Sequence, residues 1–348
     1  MVPGLMHIAV LGAGAAGSAA AITLRNAGIP VTIIEREALP RYRPGETLHP
    51  GIEPLMQKLG VAGNLHANGY LRQKGIWSKW NGGMGFVPYG EDASGPWLGF
   101  QAPRDDLDSR MLQSARSLGA QLVTATVLGI SFDAADAVCR VETTAGPVPV
   151  DSLIDCTGAS QTIARLLKVR VTRHSPTLVA RFGYVHGTFA GKAPSIAADE
   201  RGWTWIAEVA PSRFQWTRVT EPLNRPPPKW LPDSLCGLTA GKSYGADVTW
   251  RMAERVAGNG WFLAGDAAAI LDPSSSRGVL RATMTGMMAG HLLVQRWIQN
   301  VPAAVCALAY QQWLSAWFRH DVAEMGRAYG LVHLFGFQAR MANQAEAS

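Results

Sequence analysis

The chain has 348 residues, 47% of them apolar and 17% charged, with a formal net charge of +6. That length and apolar content allow one large domain or two intermeshed ones around a sizeable core, and they exclude long disordered tails. The basic residues are scattered, so no nucleic-acid footprint is present, and the positive balance points to anionic ligands or to solubility alone.

Residues 7–11 (HIAVL) read as a buried strand, residues 15–27 as a small-residue helix and residues 31–35 (VTIIE) as a second strand, which is βαβ order. Gly12, Gly14 and Gly17 form a GxGxxG between that strand and helix, with Ala16 inside it. Such glycines permit a tight turn, close approach of a pyrophosphate and close helix packing, and the helix N-terminus offers free N–H groups. Glu35 lies 18 residues past Gly17, where an acid can accept ribose hydroxyls, and Arg36 follows it. NAD and FAD both fit this unit.

The next stretch, RYRPGETLHP at 41–50, is a stiff, arginine-rich turn carrying Glu46, for which a plain dehydrogenase has no evident use. Arg41 and Arg43 suit phosphates or substrate as well as solvent. Residues 104–119 place Leu107, Met111, Leu112, Ala115 and Leu118 on one helical face, with a glycine to stop the helix. AQLVTATVLGISFD then alternates as strand, and residues 137–158 read as a hairpin feeding another strand.

From about 171 to 255 the strand-like segments alternate apolar and polar residues, as expected for an inserted antiparallel sheet. WFLAG at 261–265 returns to a buried strand. Asp266 follows it, then Pro273 and a small-residue turn, then Gly278–Val279 at the start of a helix running to 299. Two nucleotide-contacting segments some 250 residues apart suit one long ligand. Residues 302–335 are helical again, with Trp313, Trp317 and Phe318 as a bulky face.

Cys139, Cys156, Cys236 and Cys306 form no CxxC, and the eight histidines include no HxxxH pair with a ligand partner nearby, so disulfide and zinc readings are weak. The Ala-rich start lacks the basic n-region of a signal peptide, and no apolar run reaches transmembrane length. The expectation is a soluble, cytoplasmic protein with no membrane or nucleic-acid partner.

Taken together, the fingerprint, the RDDLDSRMLQSA helix, DCTG and GDAAAILDPSSSRGV resemble FAD-dependent monooxygenases of the p-hydroxybenzoate-hydroxylase-like fold. RPGETLHPG is similar to the turn found in the branch holding tryptophan halogenases, geranylgeranyl reductases and LodB-like flavoproteins. The resemblance implies an α/β, glutathione-reductase-type FAD-binding fold with an inserted antiparallel substrate sheet and a helical C-terminus. It divides the chain into an FAD-binding domain at 1–170, with 70–100 serving the substrate side, the sheet at 171–255, a second FAD-binding part at 256–300 and C-terminal helices at 301–348. It implies non-covalent FAD held by Gly12, Gly14, Ala16, Gly17, Glu35, Arg36, Glu46, Arg104, the Val127 backbone, Asp266, Pro273, Gly278 and Val279, with Glu46 beside the flavin ring.

In halogenases a catalytic lysine follows the turn by some thirty residues, and Lys74 fits by pattern, with Lys79 as a weaker candidate and a surface lysine as the ordinary alternative. GWTWIAEV, with Trp203 and Trp205 as candidate substrate contacts, is similar to the halogenase WxWxIP box but lacks its proline; the FxPxSxG box is not visible, and the chain stops soon after 335. The short length, DPSSSRGVLRATMTGMMAGHL and the ending YQQWLSAWF resemble LodB and GoxB, flavoproteins of cysteine tryptophylquinone biogenesis. The implied activity is hydroxylation of a tryptophan in a quinoprotein precursor, using O2 and electrons from NAD(P)H or a separate flavin reductase. An open groove beside Trp203, Trp205 and Lys74 is then expected. The alternatives are an indole halogenase, an isoprenoid reductase and a non-catalytic flavin-bearing maturation factor.

Overall fold

The computed structural model describes residues 6–41, 43–66 and 69–336, so the C-terminal region expected at 301–348 is described as far as 336. Two sheets organise the chain. The first has six strands in the spatial order 121–124, 31–35, 8–11, 152–155, 261–263 and 257–258. The first five run parallel, and the last returns antiparallel. Ile8–Leu11 and Val31–Glu35 are buried at every position. Layers covering both faces of a parallel sheet demand such continuous apolar runs, each full aliphatic burial contributing roughly 1.5–3 kcal/mol.

The small-residue helix Ala15–Asn26 crosses the long helix Gly278–Ile298 at close range. A Cβ on Gly286 would lie 2.1 Å from the Ala16 carbonyl oxygen, and one on Gly290 would lie 3.2 Å from that of Ala20. The alanines and glycines of both helices are therefore a packing requirement as much as a nucleotide signature. The C-terminal helix Ala303–Leu331 is tied on by buried Tyr310, whose hydroxyl donates to the Leu263 carbonyl at 2.7 Å.

The second sheet has eight strands, in the order 239–240, 179–186, 213–220, 202–210, 195–199, 75–79 and 85–88, with 244–247 also pairing with 179–186. Strand alternation sends Trp203, Trp205, Ala207 and Val209 to one face, beside Ala180, Tyr184 and Val219. That face packs on Met325, Tyr329, Leu334 and Phe335 of the C-terminal region. The other face carries Val185, Ile206, Phe214 and Trp216 around Leu235. Two ends of the expected 171–255 insert lie outside this sheet: 171–173 pairs with 251–253, which pairs in turn with 269–270, forming a separate ribbon. The sequence could not show this because three-residue strands carry too little alternation to assign a partner.

Candidate cofactor and active site

The fingerprint turn is built as a phosphate cradle. Gly12 has φ +100, and a Cβ there would meet the Cys156 carbonyl oxygen at 2.5 Å. A Cβ on Gly17 would lie 1.9 Å from the Gly12 carbonyl oxygen, so both positions admit only glycine. Gly14 faces open space, its nearest neighbours being Arg41 Nη2 and Asp108 Oδ2 at 4.0 Å. The first N–H groups of the helix beginning at Ala15, near Ala16, thus point at an accessible cleft with the positive end of the helix dipole behind them.

Glu35 closes this end. Its carboxylate accepts from the Ala13 N–H at 2.7 Å, from the Glu37 N–H at 3.1 Å and from Arg41 Nη1 at 2.5 Å. Burial pushes its pKa up, but the Ala13 N–H and Arg41 outweigh that and hold it below the usual carboxylate range. Arg36, Arg43, Val127 and Thr157 line the same cleft. Arg36 is otherwise exposed and pairs with Glu37 at 3.2 Å.

The GET turn supplies the middle of the site. Gly45 sits at φ +107, a conformation closed to other residues at low cost, and it brings Glu46 inward. Glu46 is only 4% exposed; its carboxylate accepts from the Gly45 N–H at 2.9 Å and from the Tyr184 hydroxyl on the large sheet. Burial raises its pKa, with the Tyr184 hydroxyl opposing the shift. Arg104 begins the helix Arg104–Ser117 and grips Asp108 through two bonds of 3.0 and 2.9 Å. Burial works against its charge, but the Asp108 carboxylate more than compensates, so it stays a cation.

The late motif completes the site from the other side. The Gly265 N–H donates to Thr285 Oγ1 at 2.8 Å, and Asp266 beside it keeps its side chain exposed. The protein mass around Asp266 raises its pKa, while Arg104 and Arg43 pull the other way. That pull places its carboxylate within electrostatic reach of both arginines. Pro273–Ser275 forms a short turn, and no atom lies within 4 Å of a Cβ on Gly278, where the next helix starts with Val279 buried behind it. Fingerprint cradle, Glu35 and this open second helix start together fit an FAD.

Three expectations meet a different geometry. Trp203 is fully buried and its indole N–H donates to the Tyr329 hydroxyl at 2.7 Å, while Trp205 is 7% exposed in the same core. Both pack the sheet onto the C-terminal helix, so the open groove expected beside them is filled by Met325, Tyr329 and Phe335. Lys74 is exposed, between buried Gln73 and Gly75, and lines neither the nucleotide cleft nor the small cavity beside Glu46 and Arg104. Four residues escaped the sequence reading: Tyr184, Arg213, Asp272 and Tyr329. Only Asp272 had a signal, an acid before proline, which caps the turn by accepting from the Ser274 N–H at 2.9 Å. Among the described residues there is no cluster of three His, Cys, Asp or Glu fit for a metal, and no helix is long and apolar enough to cross a membrane.

Comparison with known proteins agrees with this geometry. A family model described as an FAD binding domain matches residues 6–225. A tryptophan 2-halogenase of Chondromyces crocatus is 25% identical over 321 residues, covering 82% of this chain and 60% of that protein. A menaquinone reductase of Mycolicibacterium smegmatis is 27% identical, covering 85% and 78%. Among solved structures, a myxobacterial chondrochloren halogenase superposes with a TM-score of 0.86 at 18% identity, over 99% of this chain and 89% of that one. The chain thus spans about three fifths of the tryptophan halogenase it matches.

Proposed function

The chain belongs to the FAD-binding-domain family, and on that premise we propose that it is an FAD-dependent oxidoreductase acting on an electron-rich aromatic ring. Halogenation is the reading its relatives favour. The observation that carries the proposal is the cavity between turn and sheet, where a buried carboxylate, Glu46, is held by Tyr184 among Arg43, Arg104 and Arg213. Substitution on an aromatic ring needs water excluded and one group ready to take the ring proton. Glu46 is 4% exposed and so shielded from bulk water, and burial raises its pKa, which strengthens it as a base.

When bound, FAD supplies two-electron redox chemistry and, once reduced, reaction with oxygen. The chain's own residues do the rest. The helix N-terminus at Ala15 and Ala16 and the acid Glu35 hold the nucleotide end, with Arg36 and the Val127 backbone at the rim. Pro44 and Gly45, the second helix start at Gly278 and Val279, and Asp266 and Pro273 would hold the flavin end. Glu46 Oε1 accepts the hydrogen bond of the Tyr184 hydroxyl, which fixes the orientation of the carboxylate.

Tryptophan hydroxylation in a quinoprotein precursor rests on sequence resemblance alone, and the filled face beside Trp203 and Trp205 counts against the groove it needs. The menaquinone reductases among the relatives favour a second reading, reduction of a quinone or isoprenoid double bond. One experiment separates these. The protein, loaded with FAD and reduced by a separate flavin reductase, is given oxygen, bromide and pyrrole, indole or phenol probes, with products weighed by mass spectrometry. Brominated product is expected; oxygen insertion alone selects the hydroxylase. Turnover of a quinone without oxygen, and no ring product, would replace the proposal with the reductase.

A further inference from the structure

A small cavity lies between the GET turn and the large sheet, lined among others by Arg43, Glu46, Arg104, Asp105, Tyr184 and Arg213. Its acids and arginines are not all paired with one another. Arg104 is already claimed by Asp108 through two hydrogen bonds, and Glu46 is engaged by Tyr184 and the Gly45 N–H. Among the described residues, neither Arg43 nor Arg213 has a carboxylate within ion-pair distance. Arg213 instead lies with its guanidinium carbon 4.3 Å from the centre of the Tyr184 ring. A guanidinium laid on a ring face keeps its edge N–H groups free for a planar acceptor.

The two arginines differ in what they can serve. Arg43 also lines the nucleotide cleft, so a cofactor phosphate can reach it. Arg213 belongs to the sheet and lines only the cavity. It starts the strand 213–220 on the alternate row that includes Gln215 and Val219, and Val219 belongs to the packed face with Tyr184. A second ligand, arriving from the sheet side, is what an unpaired cation there would meet.

We infer that Arg213, seated on Tyr184 and backed by Arg43, is an anion-recognition site that selects a ligand bearing a carboxylate or phosphate group. The inference rests on the proposed FAD-dependent oxidoreductase and narrows its ligand. Two sources share this chemistry: an aromatic substrate with a carboxylate, and the phosphates of a pyridine-nucleotide reductant. A guanidinium–carboxylate or guanidinium–phosphate pair in a partly enclosed site gives shorter, stronger bonds than a neutral pair, and it fixes orientation when both acceptor oxygens are used.

The test is a binding measurement on the FAD-loaded protein, read from flavin absorbance and calorimetry without turnover. Its failure therefore leaves the aromatic-oxidation reading standing. One arm compares benzoate with benzamide, the other 2′,5′-ADP with adenosine. In at least one arm the anion should bind about tenfold or more tighter than its neutral partner, and rising salt should erode the difference. Arg213→Gln should remove that preference, Arg213→Lys should keep part of it, and Arg43→Gln should weaken it. A preference in the benzoate arm assigns the site to substrate, one in the nucleotide arm to the reductant. Equal binding of neutral and charged probes would overturn the inference. So would an Arg213→Gln protein that keeps the preference, or one that keeps its fold but loses FAD, since the cavity would then belong to the cofactor.

Discussion

Replacing Tyr329 by Phe removes one oxygen atom that serves two buried partners. The Tyr329 hydroxyl accepts from the Trp203 indole N–H at 2.7 Å and donates to Asp272 Oδ2 at 2.7 Å, while Trp250 Nε1 donates to the same carboxylate oxygen at 2.6 Å. Trp203 and Trp250 are fully buried and Asp272 is 1% exposed, so water cannot take the vacated place. Leaving a buried donor unpaired costs about 1–3 kcal/mol, and losing a bond to a carboxyl group about 1–2 more, so the substitution should destabilise by roughly 2–5 kcal/mol. That is a large share of the 5–15 kcal/mol typical of folded proteins. Urea unfolding should show a lower midpoint at unchanged slope. Trp203→Phe should recover part of the loss when combined with Tyr329→Phe, because the orphaned N–H is then gone. A change under about 0.5 kcal/mol, or strictly additive single and double variants, would refute the account of Tyr329 as the tie between the C-terminal helix and the 273–275 turn.

Other outcomes follow from the same geometry. Gly45→Ala should cost about 1–3 kcal/mol through its positive φ and weaken FAD binding, measured by flavin fluorescence on dilution. Glu35 has a depressed pKa in the fold, so its contribution is present above the unfolded carboxylate pKa and is lost as pH falls through the folded value; Glu35→Gln should flatten the acid limb of a stability–pH curve. Acid precipitation should release FAD into the supernatant, since the site residues offer a non-covalent cradle; flavin retained in the pellet would contradict this. Lys74→Ala should leave the thermal midpoint and product formation unchanged, because Lys74 is exposed and away from both cavities; loss of bromination with normal flavin reoxidation would restore it as a catalytic lysine.

The parts of the site that were legible beforehand are those where local backbone chemistry dictates residue type. GxGxxG is readable because a tight turn and a close carbonyl leave little choice but glycine, and Glu35 because it ends the strand that follows. Parallel strands 8–11 and 31–35 were readable because burial on both faces gives unbroken apolar runs. Tyr184 and Arg213 were not, because what matters is their meeting with Glu46 and Arg43 more than 130 residues away in the chain, and alternation in a strand shows which face a residue takes but not what lies opposite. Trp203 and Trp205 misled for a related reason. A tryptophan pair at strand spacing marks one face of a sheet equally well whether substrate or a helix covers it, and here the covering group is the C-terminal helix with Tyr329.

The carboxylates of the site divide by environment into two kinds, and that division links binding to chemistry. Glu35 is held ionised by an N–H and by Arg41, so it suits a neutral hydroxyl ligand that donates to it. Glu46 and Asp272 are pushed the other way by burial, and Asp266 by the protein mass around it, so each is readier to carry a proton. A raised pKa in the fold means stability declines as pH rises from the usual carboxylate range through the raised value, the opposite of the Glu35 contribution. Tyr184→Phe should sharpen that decline, because the hydroxyl is the largest group opposing the shift of Glu46 and its removal leaves only the Glu46 and Gly45 N–H groups and Arg104 against burial. Unfolding free energies compared between about pH 5 and pH 8 should therefore fall more steeply in the variant than in the parent protein. A parallel pair of curves would mean that Glu46 does not titrate in that window. The proton acceptor for ring substitution would then have to be sought elsewhere in the site.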